Sequence, residues 1–179
     1  MNLPSFKYHP DPILSGSVRP GSEKCKCCRR ERGAIYTGPV YAEADLDDSL
    51  CPWCIADGSA YAKFGAEFTD SESLAEGVAE ATLELVVQRT PGFNCWQSVD
   101  WPACCGDLMA FVEPAGIDEI RARHRELEGQ LMGLIVHELG ISGGAAVRML
   151  GSLHRDRGPT AYVFKCQSCD TRLARIDSP

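Results

Sequence analysis

The stretch that decides the fold begins with Cys25-Lys26-Cys27-Cys28 and ends with Cys51-Pro52-Trp53-Cys54. A C-x-x-C turn brings two thiolates to one point, and two such turns complete the tetrahedron that Zn²⁺ prefers. The two pairs stand 22 residues apart, close to the spacing of zinc sites built from two C-x-x-C turns. The sequence therefore predicts a structural Zn²⁺ site at Cys25, Cys28, Cys51 and Cys54. The alternative is four reduced thiols packed in a core.

Cys27 cannot replace Cys25 or Cys28 without losing the two-residue spacing, so we expect it to lie outside the site. Cys95 has no partner motif and is expected to be a small buried apolar side chain.

A third C-x-x-C, Cys166-Gln167-Ser168-Cys169, lies between two predicted strands at residues 160–164 and 172–176. A strand, a C-x-x-C turn and a strand form half of a zinc ribbon. Its partners would come from the adjacent pair Cys104-Cys105, whose side chains are expected to diverge. A complete second site would need one of these two cysteines and a fourth ligand, which could be Asp107, His154 or the other cysteine. The sequence therefore does not decide whether Cys104, Cys105, Cys166 and Cys169 form a second metal site. An incomplete ligand shell there would leave an exchangeable coordination position.

The fold class is expected to be α+β, with small zinc-knuckle and zinc-ribbon β elements packed against two or three helices. The chain has 179 residues, 44% of them hydrophobic, which suits a single domain with a normal core. Residues 1–66 would form an N-terminal arm and the first knuckle pair, residues 67–153 a mainly helical part, and residues 154–179 the zinc-ribbon hairpin.

Three helices are predicted from apolar periodicity and end signals. The first starts near Asp70 with the capping box Ser73-x-x-Glu76 and ends before Pro91. The second runs over residues 117–139 and ends at Gly140, and the third over residues 145–153. Residues 93–116 are expected to be irregular. Residues 1–24 are rich in proline and should form an extended arm that packs through Phe6 and Tyr8.

The charge of −7 is unevenly spread along the chain. Residues 34–119 carry sixteen acidic and two basic residues, whereas the flanking segments are net basic. An acidic middle repels phosphate backbones and attracts basic proteins, although many such surfaces are merely solvated. The candidate partner-contact residues are Asp45, Asp47, Asp48, Glu72, Glu76 and Glu80.

Several classes of protein are disfavoured. The N-terminus has no apolar signal-peptide region, and the longest apolar run, residues 131–136, is too short to span a bilayer. We therefore expect a cytoplasmic protein. Because the cytoplasm is reducing, its ten cysteines are expected to bind metal and not to form disulfides. His137-Glu138 is followed by Ile141, so the H-E-x-x-H motif of zinc proteases is absent. No phosphate-binding glycine pattern occurs.

Three segments of the chain form a recognisable pattern: residues 3–12, the segment from Gly33 to Tyr41 and, most specifically, Leu50-Cys-Pro-Trp-Cys-Ile-Ala-Asp-Gly-Ser59. In these segments the chain resembles the CbrC-like family of small bacterial proteins. A named member is associated with tolerance to a nuclease colicin, so the resemblance implies a bacterial cytoplasmic protein that acts against a protein toxin. One departure is Met109, which stands where the family pattern has a cysteine and supplies no thiolate.

These observations favour a non-enzymatic, zinc-stabilised immunity or tolerance protein that binds a basic, nuclease-type toxin through an acidic surface. One Zn²⁺ is predicted and a second is open. An alternative is a zinc-ribbon adaptor that contacts nucleic acid through basic patches at residues 24–32 and 121–125. A further alternative is a zinc-dependent enzyme that uses an incomplete second site, with Glu138 or Asp107 as general base.

Overall fold

The computed structural model describes residues 2–97 and 99–179 and has the predicted α+β fold. Its described residues form six α-helices: α1 (Pro52–Ala56), α2 (Ser59–Phe64), α3 (Glu80–Arg89), α4 (Ile117–Arg123), α5 (Glu128–His137) and α6 (Gly143–Gly151). Two short 3₁₀ turns occupy Ser71–Ser73 and Arg125–Leu127. Across these two described stretches, no helix is both long and apolar enough to cross a membrane.

In the described residues, seven short strands form three antiparallel sheets. The strands are β1 (Val18–Pro20), β2 (Ala34–Tyr36), β3 (Ala103–Cys104), β4 (Asp107–Leu108), β5 (Ala110–Ala115), β6 (Thr160–Lys165) and β7 (Arg172–Asp177). β1 pairs with β2 and β3 with β4, while β6 lies between β5 and β7. The two strands predicted around Cys166-x-x-Cys169 are thus confirmed as β6 and β7.

The expectation that residues 93–116 are irregular is wrong for β5. This strand pairs with β6 in the register Phe111↔Phe164, and a bulge between Phe111 and Glu113 interrupts the ladder. Pro114 lacks an N–H, but β5 is an edge strand, where proline is tolerated. The bulge, the proline and the charged Glu113 together hide the alternation by which a strand is recognised in sequence.

The first predicted helix begins at Glu80, ten residues after its expected start at Asp70. Residues 71–73 form only a 3₁₀ turn, and Asp70 Oδ1 accepts a hydrogen bond from Glu72 N at 3.0 Å. Trp101 N donates to Ser73 O at 2.7 Å, so this segment pairs with another part of the chain. Gly77 then adopts φ 77°, which a right-handed helix cannot include. The helix therefore starts at Glu80.

The second predicted helix is broken into α4 and α5 at His124, which has φ −138° and ψ 37°. The break allows the buried His124 ring to reach inward, where its Nε2 lies 2.9 Å from Glu113 Oε1 on β5. Arg172 Nη1 lies 3.2 Å from Nδ1, and since the Glu113 carboxylate can only accept, Nε2 is the ring nitrogen that donates to Glu113. The interaction of one polar side chain thus overrides an otherwise continuous helical pattern.

The carboxylate of Glu113 joins several parts of the fold, although it is only 1% exposed. Arg123 donates to both of its oxygens, at 2.9 and 2.7 Å, and Arg155 donates to Oε2 at 3.2 Å. With His124, these bonds connect β5, α4 and the segment before β6. Such a buried charge is tolerated because it is fully paired.

Three groups of apolar side chains form the core. One surrounds Cys25, Cys51 and Cys54 and includes Leu50 and Ile55. A second is aromatic, with Phe93 stacked on Phe111 at 3.9 Å between ring centroids, and it includes Trp101 and Phe164. The third packs α4, α5 and α6 against the sheet of β5, β6 and β7.

Contacts from outside the three-stranded sheet cover both of its edges. On β5, Phe111 N donates to Tyr8 O of the N-terminal arm at 2.8 Å. On β7, the Gln130 side chain accepts from Ala174 N at 2.9 Å and donates to Ala174 O at 3.4 Å. The Gln130 amide thereby takes the place of a neighbouring peptide group.

The N-terminal arm packs on the body, as predicted, with Phe6 4% and Tyr8 1% exposed. His9 is fully buried beside Phe111. Its Nδ1 donates to Pro91 O at 2.7 Å, and its Nε2 lies 2.7 Å from Ser15 Oγ. Burial lowers the pKa of His9 to about 4, against a smaller opposing effect of the Pro91 carbonyl.

We expect His9 to make folding acid-sensitive between about pH 6.5 and pH 4. In that window the unfolded chain binds a proton that the folded chain does not, so stability falls as the pH falls. The loss between pH 7 and pH 5 should be about 2 kcal/mol larger in the wild type than in His9→Gln. Denaturant unfolding at both pH values measures it. The exposed His137→Gln is the control and should keep the wild-type loss; equal losses in all three proteins would contradict the prediction.

Candidate metal centres

The first tetrad consists of Cys25, Cys28, Cys51 and Cys54, whose sulfur atoms all lie within 4.8 Å of one another. Cys25 and Cys28 lie in a tight turn, in which Arg29 N donates to Cys25 O at 2.8 Å. Arg29 adopts φ 62°, the left-handed conformation that lets the chain double back. Cys51 is the N-cap of α1, with Pro52 in the first turn, and Cys54 lies within the helix. A turn and a helix start thus converge on one point.

The sulfur spacing of the first tetrad fits zinc. Around a Zn²⁺ with Zn–S bonds of about 2.3 Å, tetrahedral sulfurs stand about 3.8 Å apart. The sulfur separations are 3.8 Å for Cys25–Cys54 and Cys28–Cys51, and 3.6 Å for Cys51–Cys54. All ten cysteines lie in the described part of the chain and are free thiols. Four thiolates at this spacing could hold one Zn²⁺ in a closed tetrahedral shell.

Three thiols of the first tetrad, Cys25, Cys51 and Cys54, have shifted pKa values. The hydrogen bond with Cys51 lowers the pKa of Cys25 to about 4 and raises that of Cys51. Burial raises the pKa of Cys54 to about 12. Cys25 therefore forms a thiolate readily, whereas Cys51 and Cys54 require compensating positive charge to ionise beside it. A bound Zn²⁺ would supply that charge.

Basic side chains surround the first tetrad. Lys24, Lys26, Arg29 and Lys63 line a groove of about 530 Å³ that also contains Cys25 and Asp45. Lys63 reaches this groove from α2 and donates to Cys27 O at 3.0 Å. These cations would offset the formal charge of −2 on a Zn(Cys)₄ centre.

The second tetrad consists of Cys104, Cys105, Cys166 and Cys169 and also fits within 4.8 Å. Cys105 and Gly106 form the two-residue turn between β3 and β4, with φ 54° and 77°. Positive φ at both positions is typical of a type I′ hairpin turn. Because Cys105 is left-handed, its side chain converges with that of Cys104, and their sulfurs lie 3.7 Å apart. The expected divergence of these adjacent side chains is therefore wrong.

Cys169 closes the second tetrad from the β6–β7 turn. Its sulfur lies 3.8 Å from that of Cys104 and 3.7 Å from that of Cys105, again the spacing of a zinc shell. The Thr171 hydroxyl, 3.2 Å from Cys169 Sγ, lowers the pKa of Cys169 to about 6. The neighbouring Cys166 thiol raises the pKa of Cys104 to about 12.

The other candidates for the fourth ligand lie elsewhere. Asp107 accepts hydrogen bonds from Lys7 and Tyr8 at 2.7 and 2.8 Å. His154 Nδ1 accepts from Asp156 N at 3.0 Å. Met109 is fully buried, and its carbonyl accepts from the Trp101 indole at 2.7 Å. The second tetrad thus has four thiols although Met109 supplies none.

Two comparisons with known proteins found relatives. The profile of the family described as "Uncharacterised protein family (UPF0167)" matches residues 3–178. The chain belongs to the UPF0167 family. It is 41% identical to the UPF0167 protein Mb2317 of Mycobacterium bovis over 178 residues, 98% of this chain and 93% of that protein. It is 48% identical to the UPF0167 protein PA1536 of Pseudomonas aeruginosa over 173 residues, 93% of this chain and 92% of that protein. No solved structure matches.

The six acidic contact candidates of this UPF0167 chain are all exposed, and they lie on two segments. The acidic loop contains Asp45, Asp47 and Asp48. The acidic segment contains Glu72, Glu76 and Glu80. Among the described residues, no hydrogen bond or ion pair joins the loop to the segment, and Asp45 borders the basic groove of the first tetrad.

Sequence reasoning missed or misplaced several residues around the tetrads of this UPF0167 chain. Thr171 follows Cys169 by two residues, and a hydroxyl so close to a C-x-x-C turn is a usable signal. Lys63 carries no such signal, because only the packing of α2 brings it to the first tetrad. Cys27 lies outside the tetrad as expected, with its sulfur 3.5 Å from Ser59 Oγ. Cys95 is exposed, which corrects the expectation that it is buried.

Proposed function

We propose that this UPF0167 chain is a zinc-stabilised, non-enzymatic binding protein. The observation that carries the proposal is that each tetrad directs four thiols to one point at zinc spacing. A Cys₄ shell is closed, as in structural zinc sites, whereas catalytic zinc keeps one position for water or substrate. The enzyme alternative required such an incomplete shell, so the geometry argues against it.

Natively purified protein should contain two Zn²⁺ per chain, one in each tetrad. Elemental analysis by mass spectrometry measures the content directly. Cys27→Ser and Cys95→Ser are matched controls, since both thiols lie outside the tetrads, and both variants should keep the full content. Protein purified without chelators that contained no zinc would contradict the proposal.

For the partner, we propose a basic protein that binds through the acidic loop and the acidic segment. Both are exposed and lie within the part of the chain that carries sixteen acidic and two basic residues. Opposite charge speeds association and selects partners. The resemblance to the CbrC-like family suggests that this partner is a nuclease-type toxin. Nuclease domains must bind acidic nucleic acid and are therefore usually basic. In that role the protein would act in the bacterial cytoplasm.

Binding to an adjacently encoded toxin tests this proposal. Combining Asp47→Asn, Asp48→Asn, Glu72→Gln and Glu76→Gln should weaken the complex roughly tenfold or more at low salt, with a smaller effect at high salt. Asparagine suits position 48 because it tolerates the positive φ there. The control replaces the exposed Glu126 and Glu138 and the half-buried Glu128, which lie outside both acidic groups, by glutamine and should leave affinity unchanged. No complex at low salt, or no protection of toxin-expressing cells, would reject the proposal.

The basic groove of the first tetrad favours the second candidate, a nucleic-acid adaptor. The groove is lined by four cations and by the apolar side chains of Leu46 and Phe64, a combination that can bind a phosphate backbone and bases. Asp45 and the −2 charge of a Zn(Cys)₄ centre would cancel most of this positive charge. Retention on heparin at moderate salt would support the adaptor over the toxin-binding protein.

A further inference from the structure

The two tetrads differ sharply in solvent exposure. In the first, three thiols are at most 2% exposed (Cys25, Cys51 and Cys54) because they lie within a core group of apolar side chains, and Cys28 is half-buried. In the second, Cys105 and Cys169 are exposed, Cys104 is half-buried and Cys166 is buried. Thiolates react with oxidants in proportion to their accessibility. The second tetrad is therefore open to chemistry from which the first is shielded.

A groove gives small molecules access to the second tetrad. It has a volume of about 430 Å³ and is lined by Cys166 and Cys169 together with Lys7 and Lys165. Asp170 also lines this groove, and Lys7 is paired with Asp107 at 2.7 Å, so solvent access rather than charge exposes the sulfurs to oxidants. The exposed sulfurs of Cys105 and Cys169 lie 3.7 Å apart, so a modest movement would bring them to bonding distance.

We propose that Cys105 and Cys169 are an oxidant-sensitive pair at which a peroxide releases the metal of the second tetrad. The inference rests on the zinc binding proposed above. One thiolate attacks hydrogen peroxide, the O–O bond breaks, and a sulfenic acid and hydroxide form. The second thiolate then attacks the sulfenic sulfur, an S–S bond forms, and a second hydroxide leaves. The two sulfurs lose two electrons, peroxide gains them, and two protons complete two molecules of water.

Oxidation would leave Cys104 and Cys166 as the remaining sulfur ligands, too few for a closed shell. The Cys105–Cys169 disulfide would then replace the metal as the link between the β3–β4 hairpin and the β6–β7 turn. Other bonds hold the base of the hairpin, since Met109 N donates to Pro102 O at 2.9 Å and Lys7 pairs with Asp107 at 2.7 Å. The expected change is therefore local to the hairpin tip and leaves the first tetrad closed.

The experiment treats purified full-length protein with a small molar excess of hydrogen peroxide in the presence of a chromogenic zinc chelator. We expect half of the bound zinc to be released rapidly. Peptide mapping by mass spectrometry should then find a disulfide between Cys105 and Cys169, while Cys25, Cys51 and Cys54 stay reduced. Thiol reductant and added zinc should restore the original content.

Variants separate this inference from general thiol oxidation. Cys95→Ser removes an exposed thiol outside both tetrads and should release zinc as the wild type does. Equal release from both tetrads, or a disulfide within the first, would overturn the inference. Protein without zinc would reject the proposed function instead. Preferential formation of the Cys105–Cys169 disulfide in that protein would still support the pair as the oxidation site.

Discussion

Cys51→Ser is expected to leave the chain unfolded or insoluble, the largest effect of any single substitution considered. Cys51 is fully buried and contacts both Cys28 and Cys54 in the first tetrad. Structural zinc in small modules contributes roughly 10–16 kcal/mol of apparent binding free energy, and folded domains have only about 5–15 kcal/mol of net stability. Loss of one thiolate from a closed shell therefore threatens the whole fold.

Zinc content, circular dichroism and thermal unfolding together measure this effect. Cys27→Ser is the matched control, because Cys27 lies in the same turn and outside the tetrad. The control should fold with a melting temperature close to that of the wild type. A Cys51→Ser protein that folded with unchanged stability would show that the first tetrad is a group of packed thiols and not a metal site.

Glu113→Gln should lower the free energy of unfolding by about 3 kcal/mol, the cost of breaking a buried ion pair from one side. The neutral amide cannot accept from Arg123, His124 and Arg155 together as the carboxylate does. We choose the lower end of the usual range because Arg123 is 47% exposed and can regain water. Denaturant unfolding at pH 7 gives the value.

The control for Glu113→Gln is Glu128→Gln, which breaks the exposed pair with Arg121 at 2.9 Å. Exposed ion pairs contribute about 0–1 kcal/mol, so this variant should be nearly neutral. Equal effects of the two substitutions would mean that Glu113 contributes no more than a surface charge.

Acid should remove the contribution of Glu113. Burial raises the pKa of Glu113, but the hydrogen bonds from Arg123 and His124 outweigh burial, so the net shift is downward. A carboxyl group with a lowered pKa stabilises the fold above its unfolded pKa, near 4.3, and loses that effect as the pH falls through its folded pKa. The difference in stability between wild type and Glu113→Gln should therefore shrink below about pH 4.

Cysteine spacing carried most of what the sequence could predict. The C-x-x-C pairs located the thiols of the first tetrad, and β-forming residues around Cys166 and Cys169 located β6 and β7. These signals are local, since each depends on residues a few positions apart. The same holds for α6, which the structure places at Gly143–Gly151.

Long-range contacts determine the features of the fold that local sequence signals did not predict. Pairing of Ser73 with Trp101 removes the start of a helix, and the bond between His124 and Glu113 interrupts another. The convergence of the four thiols in the second tetrad depends on the left-handed backbone conformation of Cys105. A left-handed conformation at a non-glycine residue is rare, so side chains that should diverge were not expected to share a ligand shell.

The bonds of Tyr8 and Gln130 at the borders of the three-stranded sheet have a consequence for solubility. An uncovered border strand offers unpaired peptide groups to other chains and invites aggregation. Here Tyr8 O takes the Phe111 N–H on one side, and the Gln130 amide bonds both peptide groups of Ala174 on the other. The N-terminal arm and α5 thus cover the two edge strands of the sheet, which disfavours the addition of strands from other protein molecules.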